Sequence, residues 1–222
     1  MGNLYIVSTP IGNLEDITIR AIKILSSVDL VLCEDTRHTG LLLQKLNIQT
    51  KLLSYYDEIE DTRIPEIIEM LGQNKNIALV SDSGTPLISD PGFRLVRECL
   101  KRGIKVESIP GPSAALAALT SSGLPPNKFI FLGYPPEKQN QRIKMFEDLT
   151  HLNRFKCTNI FYCAPHKLMR TLEDMKSVLG DLDIVVAREL TKVHEEIWHG
   201  SISTAQKYFG KPQGEFVLLF RS

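Results

Sequence analysis

At 222 residues, 43% of them apolar, the chain is long enough for one large domain or two small ones and can bury a real core. Its 26 basic and 26 acidic residues cancel, so the global charge demands no polyanionic partner, and no apolar run approaches the ~18 residues of a membrane helix. The four cysteines, Cys33, Cys99, Cys157 and Cys163, form no CxxC and share no metal-type spacing with histidine, which reads as a reduced cytoplasmic protein.

Leu4 to Val7 is too short for the apolar core of a signal peptide. Leu4 to Ser8 reads instead as a strand running into Thr9-Pro10-Ile11-Gly12-Asn13. Ile17, Ala21, Ile22 and Leu25 recur at helical spacing, and Leu30 to Cys33 is a buried strand ending at the loop Glu34-Asp35-Thr36-Arg37-His38-Thr39-Gly40. A helix over Leu41 to Leu46, a weak strand at Lys51 to Ser54 and a helix marked by Ile64, Ile67, Ile68 and Leu71 follow. The strand Ile77 to Val80 then breaks into Ser81-Asp82-Ser83-Gly84-Thr85-Pro86, and Asp90-Pro91-Gly92 opens a helix through Leu95, Val96 and Leu100. A polar loop at the carboxyl end of a buried strand is where open α/β sheets bind ligands. Gly84 lets a ligand approach the backbone, and the prolines stiffen the loop. Val106 to Ile109 is a further strand, ending at Pro110-Gly111-Pro112-Ser113. Such alternation of strand and helix favours a largely parallel sheet.

In the second half, Ser113 is a candidate N-cap for a helix over Ala114 to Leu119. Strands are expected at Phe129 to Leu132, Asn159 to Cys163, Asp183 to Ala187, Glu195 to His199 and Glu215 to Phe220. Helices are expected in the first part of 138–156, from Pro165 to Leu179, and at Ser203 to Phe209. The closer spacing of the last strands suggests a mixed sheet. The fold class is therefore α/β with two α/β domains, 1–112 and 113–222, the first sheet mostly parallel and the second mixed. Between Lys138 and Arg170 the chain collects Lys138, Arg142, Lys144, Arg154, Lys156, Lys167 and Arg170 against Glu147 and Asp148. Such a window is either a solvated face or a surface for a polyanion.

Five strand-end loops carry unusual chemistry: 9–13, 34–40, 81–92, 110–114 and 188–192. None is a dinucleotide fingerprint or a P-loop, and no serine lies in a nucleophile elbow. The histidines His38, His151, His166, His194 and His199 are dispersed, and no metal site is expected. What remains is a backbone-lined small-molecule cleft between two α/β domains, suited to a ligand with an aromatic base, hydroxyls and a zwitterionic tail.

Taken together, Thr9-Pro10-Ile11-Gly12-Asn13-Leu14-Glu15-Asp16-Ile17, Glu34-Asp35-Thr36-Arg37, Ser81-Asp82-Ser83-Gly84-Thr85-Pro86, Pro110-Gly111-Pro112-Ser113-Ala114 and Ala187-Arg188-Glu189-Leu190-Thr191-Lys192 resemble one family in their order. It is the ribosomal RNA small subunit methyltransferase I group of the tetrapyrrole methylase superfamily, and the resemblance runs from Leu4 to about Phe220. The resemblance implies S-adenosylmethionine (SAM) held between two α/β domains, in a homodimer. It also implies 2′-O-methylation of a decoding-region cytidine ribose in 16S rRNA, within the small ribosomal subunit. Carried over by motif, the SAM contacts are Pro10, Asp82, Ser83, Gly84, Thr85, Ile88, Ser113, Ala114, Tyr162, Cys163, Leu190 and Thr191. Thr85 stands where the superfamily has aspartate and Cys163 where it has methionine, which puts those two side-chain contacts in question.

The implied reaction is attack of a ribose oxygen on a sulfonium methyl group. It needs alignment, together with a base or cation near the oxygen. Asp35, Arg37, Asp82, Glu189 and Lys192 are the candidates. Lys192 and Glu189 are favoured as a pair near the oxygen, with Arg37 on a phosphate. The structural alternatives are a helix cap for Asp35, an interdomain ion pair of Arg37 with Glu189, and a solvated Lys192. Members of the group commonly continue past the last strand into a basic tail, whereas this chain stops at Ser222, which shifts the expected RNA grip to Lys138–Arg170. A relative acting on a tetrapyrrole or a diphthamide-type protein substrate, or a SAM sensor, would keep the fold with a different role.

Overall fold

The computed structural model describes residues 1–151 and 156–221, and the chain divides into two compact units, Met1–Ser113 and Ala114–Ser222. The first is built on five parallel strands, β1 (Leu4–Val7), β2 (Leu30–Cys33), β3 (Leu52–Ser54), β4 (Ile77–Leu79) and β5 (Val106–Ile109), in the order β3-β2-β4-β1-β5. Successive side chains point to opposite faces of a strand. Leu4, Ile6, Leu32, Ile77 and Leu79 accordingly enter one core, with Ile67, Ile68 and Leu71 of α3 (Glu60–Gly72) and Leu95 and Cys99 of α4 (Phe93–Lys101). Val7, Val31, Cys33 and Ala78 enter the other, with Ala21 and Leu25 of α1 (Ile19–Ser27) and Leu43 of α2 (Thr36–Lys45). The sheet is thus covered on both faces, as a parallel sheet requires.

The chain leaves β1 toward β2 on one side and leaves β4 toward β5 on the other. The adjacent strands β1 and β4 are therefore a topological switch point, where the loops at their carboxyl ends diverge and leave a crevice. One local expectation is corrected here. Residues 36–40 are not loop but the first turns of α2, because the Asp35 carboxylate accepts the Arg37 N–H at 2.8 Å and caps the helix.

The second unit carries a mixed sheet of β6 (Phe129–Phe131), β7 (Thr158–Cys163), β8 (Asp183–Arg188), β9 (Glu196–Ser201) and β10 (Phe216–Arg221), in the order β6-β7-β10-β8-β9. Only β6 and β7 run parallel among these neighbours. Phe161, Cys163, Phe216, Leu218 and Phe220 point to the face covered by α6 (Gln139–His151), α7 (Pro165–Leu179) and α8 (Ile202–Tyr208). Val217 and Leu219 alternate with them, and α5 (Ala114–Ser121) packs against β7 and β10 through a buried face of Ala115, Ala118 and Leu119.

The basic window proves to be only partly surface. Arg142 is buried on α6 beside Phe146 and Leu149, in an ion pair of 2.5 Å with the equally buried Asp174 of α7, and it donates to the carbonyls of Pro136 (2.9 Å) and Glu137 (3.0 Å). Lys167 pairs with Glu137. Lys138, Lys144, Lys156 and Arg170 remain exposed, and Arg154 lies outside the described residues. Among the described residues no helix is long and apolar enough to cross a membrane.

Candidate functional site

The crevice between β1 and β4 is closed by backbone. Thr9 and Gly84 exchange two hydrogen bonds, Thr9 N to Gly84 O at 2.8 Å and Gly84 N to Thr9 O at 3.1 Å. The buried Thr9 hydroxyl also donates to the Ser81 carbonyl at 3.2 Å. Gly84 sits at φ +80°, and a Cβ there would stand 3.3 Å from Ile11. Glycine is thus required by conformation and by the approach of Ile11. Leu87 (φ 72°) and Ser89 (φ 71°) are held in the left-handed region that side chains disfavour, and such strain concentrates at functional loops. Ser83 and Ile88 are exposed, whereas Pro10, Asp82, Thr85 and Ser113 are half-buried.

This edge of the sheet is acidic. Asp82 accepts the Asp35 N–H at 3.3 Å, which ties the β2 loop to the β4 loop. Burial, with the charges of Asp90 and Asp82 added, pushes the Glu34 carboxyl up to about 7. Burial likewise raises Asp90 to about 6, against the pull of the Ser81 hydroxyl. The side-chain hydrogen bonds from Arg37 hold Asp35 well below the usual carboxylate range. A carboxyl titrating near 7 can accept a proton at neutral pH. Arg37 itself is 90% exposed at its side chain, and its guanidinium grips Asp35 through Nε at 3.1 Å and Nη2 at 2.7 Å.

In the second unit the loop after β8 is just as constrained. Glu189 (φ 50°) and Thr191 (φ 64°) both lie in the left-handed region, a rare conformation for a β-branched residue. The Glu189 carboxylate accepts the Lys192 ammonium at 3.0 Å and the Glu215 N–H at 2.9 Å, and Lys192 also meets Glu215 Oε2 at 3.1 Å. Gly214 makes room, since a Cβ there would stand 2.6 Å from the Glu189 side chain. Burial pulls the Lys192 ammonium down, but the hydrogen bonds it donates to Glu189 and Glu215 outweigh this and leave the pKa above the ordinary lysine value. Burial would raise Glu189, yet the Glu215 N–H and Lys192 hold its carboxyl below the ordinary value. At neutral pH the pair is an ammonium and a carboxylate, so Lys192 carries a positive charge and no free lone pair.

Leu190 is buried, and Thr191 donates its N–H to Glu195. Tyr162 is half-buried and meets Phe131 and Tyr134 edge-on, at 4.8 and 5.5 Å between centroids. Cys163 points the other way into the core, where burial pushes its thiol up to about 11; its side chain is packing, and only its backbone is open to a ligand role. Among the described residues no group of three or more His, Cys, Asp or Glu side chains is placed to hold a metal ion. The arrangement fits SAM on its own chemistry: a tightly held loop with Ser83 exposed beside the crevice, and the acidic group Glu34, Asp82 and Asp90 next to it to favour a cationic sulfonium. The partners that sequence reasoning missed are Ser8, whose hydroxyl lies 3.1 Å from that of Thr85, together with Glu215 and Gly214. Ser8 is signalled only as a hydroxyl ending an apolar strand, and the other two carry no sequence signal.

A family model described as Tetrapyrrole (Corrin/Porphyrin) Methylases matches residues 3–206. The Ribosomal RNA small subunit methyltransferase I of Thermotoga maritima is 47% identical over 99% of this chain and 98% of its own length. The chain belongs to the tetrapyrrole methylase family. Its match to the Synechocystis protein of the same ribosomal name is 48% identical, over 99% of this chain but 78% of that protein, so relatives bearing one name differ in length. Two solved members of the wider tetrapyrrole methylase fold, the cobalt precorrin-4 methyltransferase CbiF and the methyltransferase CobJ, superpose with TM-scores of 0.71 and 0.73 at 19% identity. They cover 98% and 100% of this chain, and 94% and 95% of their own, which shows a shared fold and nothing of substrate.

Proposed function

We propose that this tetrapyrrole methylase is a SAM-dependent ribosomal RNA methyltransferase whose target is the 2′-oxygen of a decoding-region cytidine ribose in 16S rRNA. The observation that carries the reading is 47% identity, over essentially the full length of both chains, to a protein named as a ribosomal RNA small subunit methyltransferase. The strained loops after β4 and β8 support it, because they are the loops that carry the expected site residues.

On this reading SAM is held by Pro10, Asp82, Ser83, Gly84, Ile88, Ser113, Ala114, Tyr162, Leu190, Thr191 and the backbone at Thr85 and Cys163. When bound, it supplies an electrophilic methyl group. Lys192, fixed by Glu189 and Glu215, offers an ammonium to the charge developing on the ribose oxygen as the hydroxyl proton leaves to solvent. Arg37, exposed and anchored by Asp35, meets a backbone phosphate. The rRNA would be gripped by Lys138, Lys144, Lys156 and Arg170, with Arg142 and Lys167 withdrawn from that role by their ion pairs. The protein would work on the small ribosomal subunit as a cytoplasmic homodimer.

Transfer of labelled methyl from SAM to small ribosomal subunits lacking the modification tests the function. Lys192→Met should lower kcat/KM at least 100-fold, on the order of what one charge-stabilising group supplies, with SAM affinity within about threefold of the parent. Equal turnover by this variant would remove Lys192 from the chemistry.

A further inference from the structure

Three loops of the first unit meet at one pair of hydroxyls. Thr85 Oγ1 donates to the Pro112 carbonyl at 2.9 Å and lies 3.1 Å from Ser8 Oγ. A hydroxyl has one proton. With that of Thr85 given to Pro112, the Ser8–Thr85 hydrogen bond is donated by Ser8, and the relay runs Ser8 to Thr85 to Pro112. It joins the end of β1, the β4 loop and the β5 loop. Ser8 is buried, at 2% exposure, and a buried hydroxyl needs a partner within the protein. Gly111 approaches from the β5 side so closely that a Cβ would stand 2.9 Å from Ser8 Cβ. Next in sequence to Ser8 and Thr85, the residues Thr9 and Gly84 form the two-way backbone bridge at the mouth of the crevice.

We propose that Ser8 and Thr85 are positioning residues, whose hydroxyl relay to the Pro112 carbonyl locks the loops after β1, β4 and β5 so that the Ser83–Gly84 backbone is presented to SAM in one conformation. This rests on the SAM-dependent reading above and gives the reason why only the Thr85 backbone is left to the ligand in it. The Thr85 side chain serves the loops, not the ligand, because its single proton is already committed. A pre-organised loop spends less of the binding energy on ordering, so the relay acts on cofactor affinity and not on the chemical step.

The experiment compares the full-length parent with Thr85→Val, Thr85→Ser and Ser8→Ala. Thr85→Val keeps the shape and removes both hydrogen bonds, Ser8→Ala removes one, and Thr85→Ser retains both. The expected order of weakening in SAM affinity by titration calorimetry is about tenfold or more for Thr85→Val, threefold for Ser8→Ala and within twofold for Thr85→Ser. In turnover, KM for SAM should rise in the same order while kcat and KM for the RNA substrate stay near the parent. In the SAM-free protein the Thr9 and Gly84 amides should exchange at least tenfold faster in Thr85→Val than in Thr85→Ser. Unchanged amide exchange and unchanged SAM affinity in Thr85→Val would overturn the relay and leave the SAM reading standing. A parent that binds no SAM would overturn the reading and the proposal with it, whatever the exchange rates. If Thr85→Val does not fold, the comparison of Ser8→Ala with Thr85→Ser decides, and equal affinities there overturn the proposal.

Discussion

Glu34 closes β2 beside Asp82 and Asp90, and burial is the main reason its carboxyl titrates near 7 instead of 4.5. A carboxyl with a raised folded pKa binds its proton more tightly when folded. Its contribution to stability is therefore present below the unfolded value, falls as pH rises from about 4.5 through about 7, and stays lost above. Glu34→Gln should be more stable than the parent at about pH 8 by roughly 1–2 kcal/mol once solvent screening is allowed for, with the difference vanishing below about pH 4.5. Denaturant titrations across that range check it, and a difference that does not change with pH would contradict the assignment. At this scale the sequence was informative where interactions are local. Asp35 capping α2 and Lys192 paired with Glu189 three residues earlier lie within one motif each. Glu215 reaches Lys192 only because β10 runs antiparallel beside β8, and no local pattern announces that. Nor does the sequence say which way the Thr85 hydroxyl points, so a residue read as a ligand contact is found tied to two neighbouring loops.

Among the elements, α6 and α7 show how charge patterns mislead. Arg142, Phe146 and Leu149 are spaced i, i+4, i+7 and share the buried face of α6. On α7, Asp174 lies among Leu172 and Met175. Counted by composition, Arg142 belongs to a basic surface; read by helical phase, it lies in an apolar stripe. The Arg142–Asp174 pair, completed by Gln139 at 2.9 Å and two backbone carbonyls, carries its own partners into the core. Arg142→Ala or Asp174→Ala should each cost about 3–5 kcal/mol by stranding a buried charge. The double replacement Arg142→Met with Asp174→Leu should recover most of that loss. Thermal and urea unfolding of the three variants tests this, and a single variant within about 1 kcal/mol of the parent would show that water reaches the pair.

For the molecule as a whole, alternation of strand and helix in the first half and crowding of strands in the second were enough to read a parallel sheet and a mixed one. Pairing order, and with it the β1–β4 switch point, depends on residues far apart in sequence. A net charge of zero leaves any grip on rRNA to local groups. The affinity for a 16S decoding-region RNA should fall with salt, and changing Lys138, Lys144 and Arg170 together to Gln should flatten the log–log slope by about 0.7–0.9 for each phosphate no longer neutralised. An unchanged slope would place the RNA elsewhere on the surface. The central claim is tested most directly by incubating the protein and labelled SAM with small ribosomal subunits that lack the modification, then mapping the label. The account predicts label on one decoding-region cytidine, with the bond that follows it resistant to alkaline cleavage because the 2′-oxygen is methylated. Label on a base or a protein, or none despite SAM binding, would contradict it.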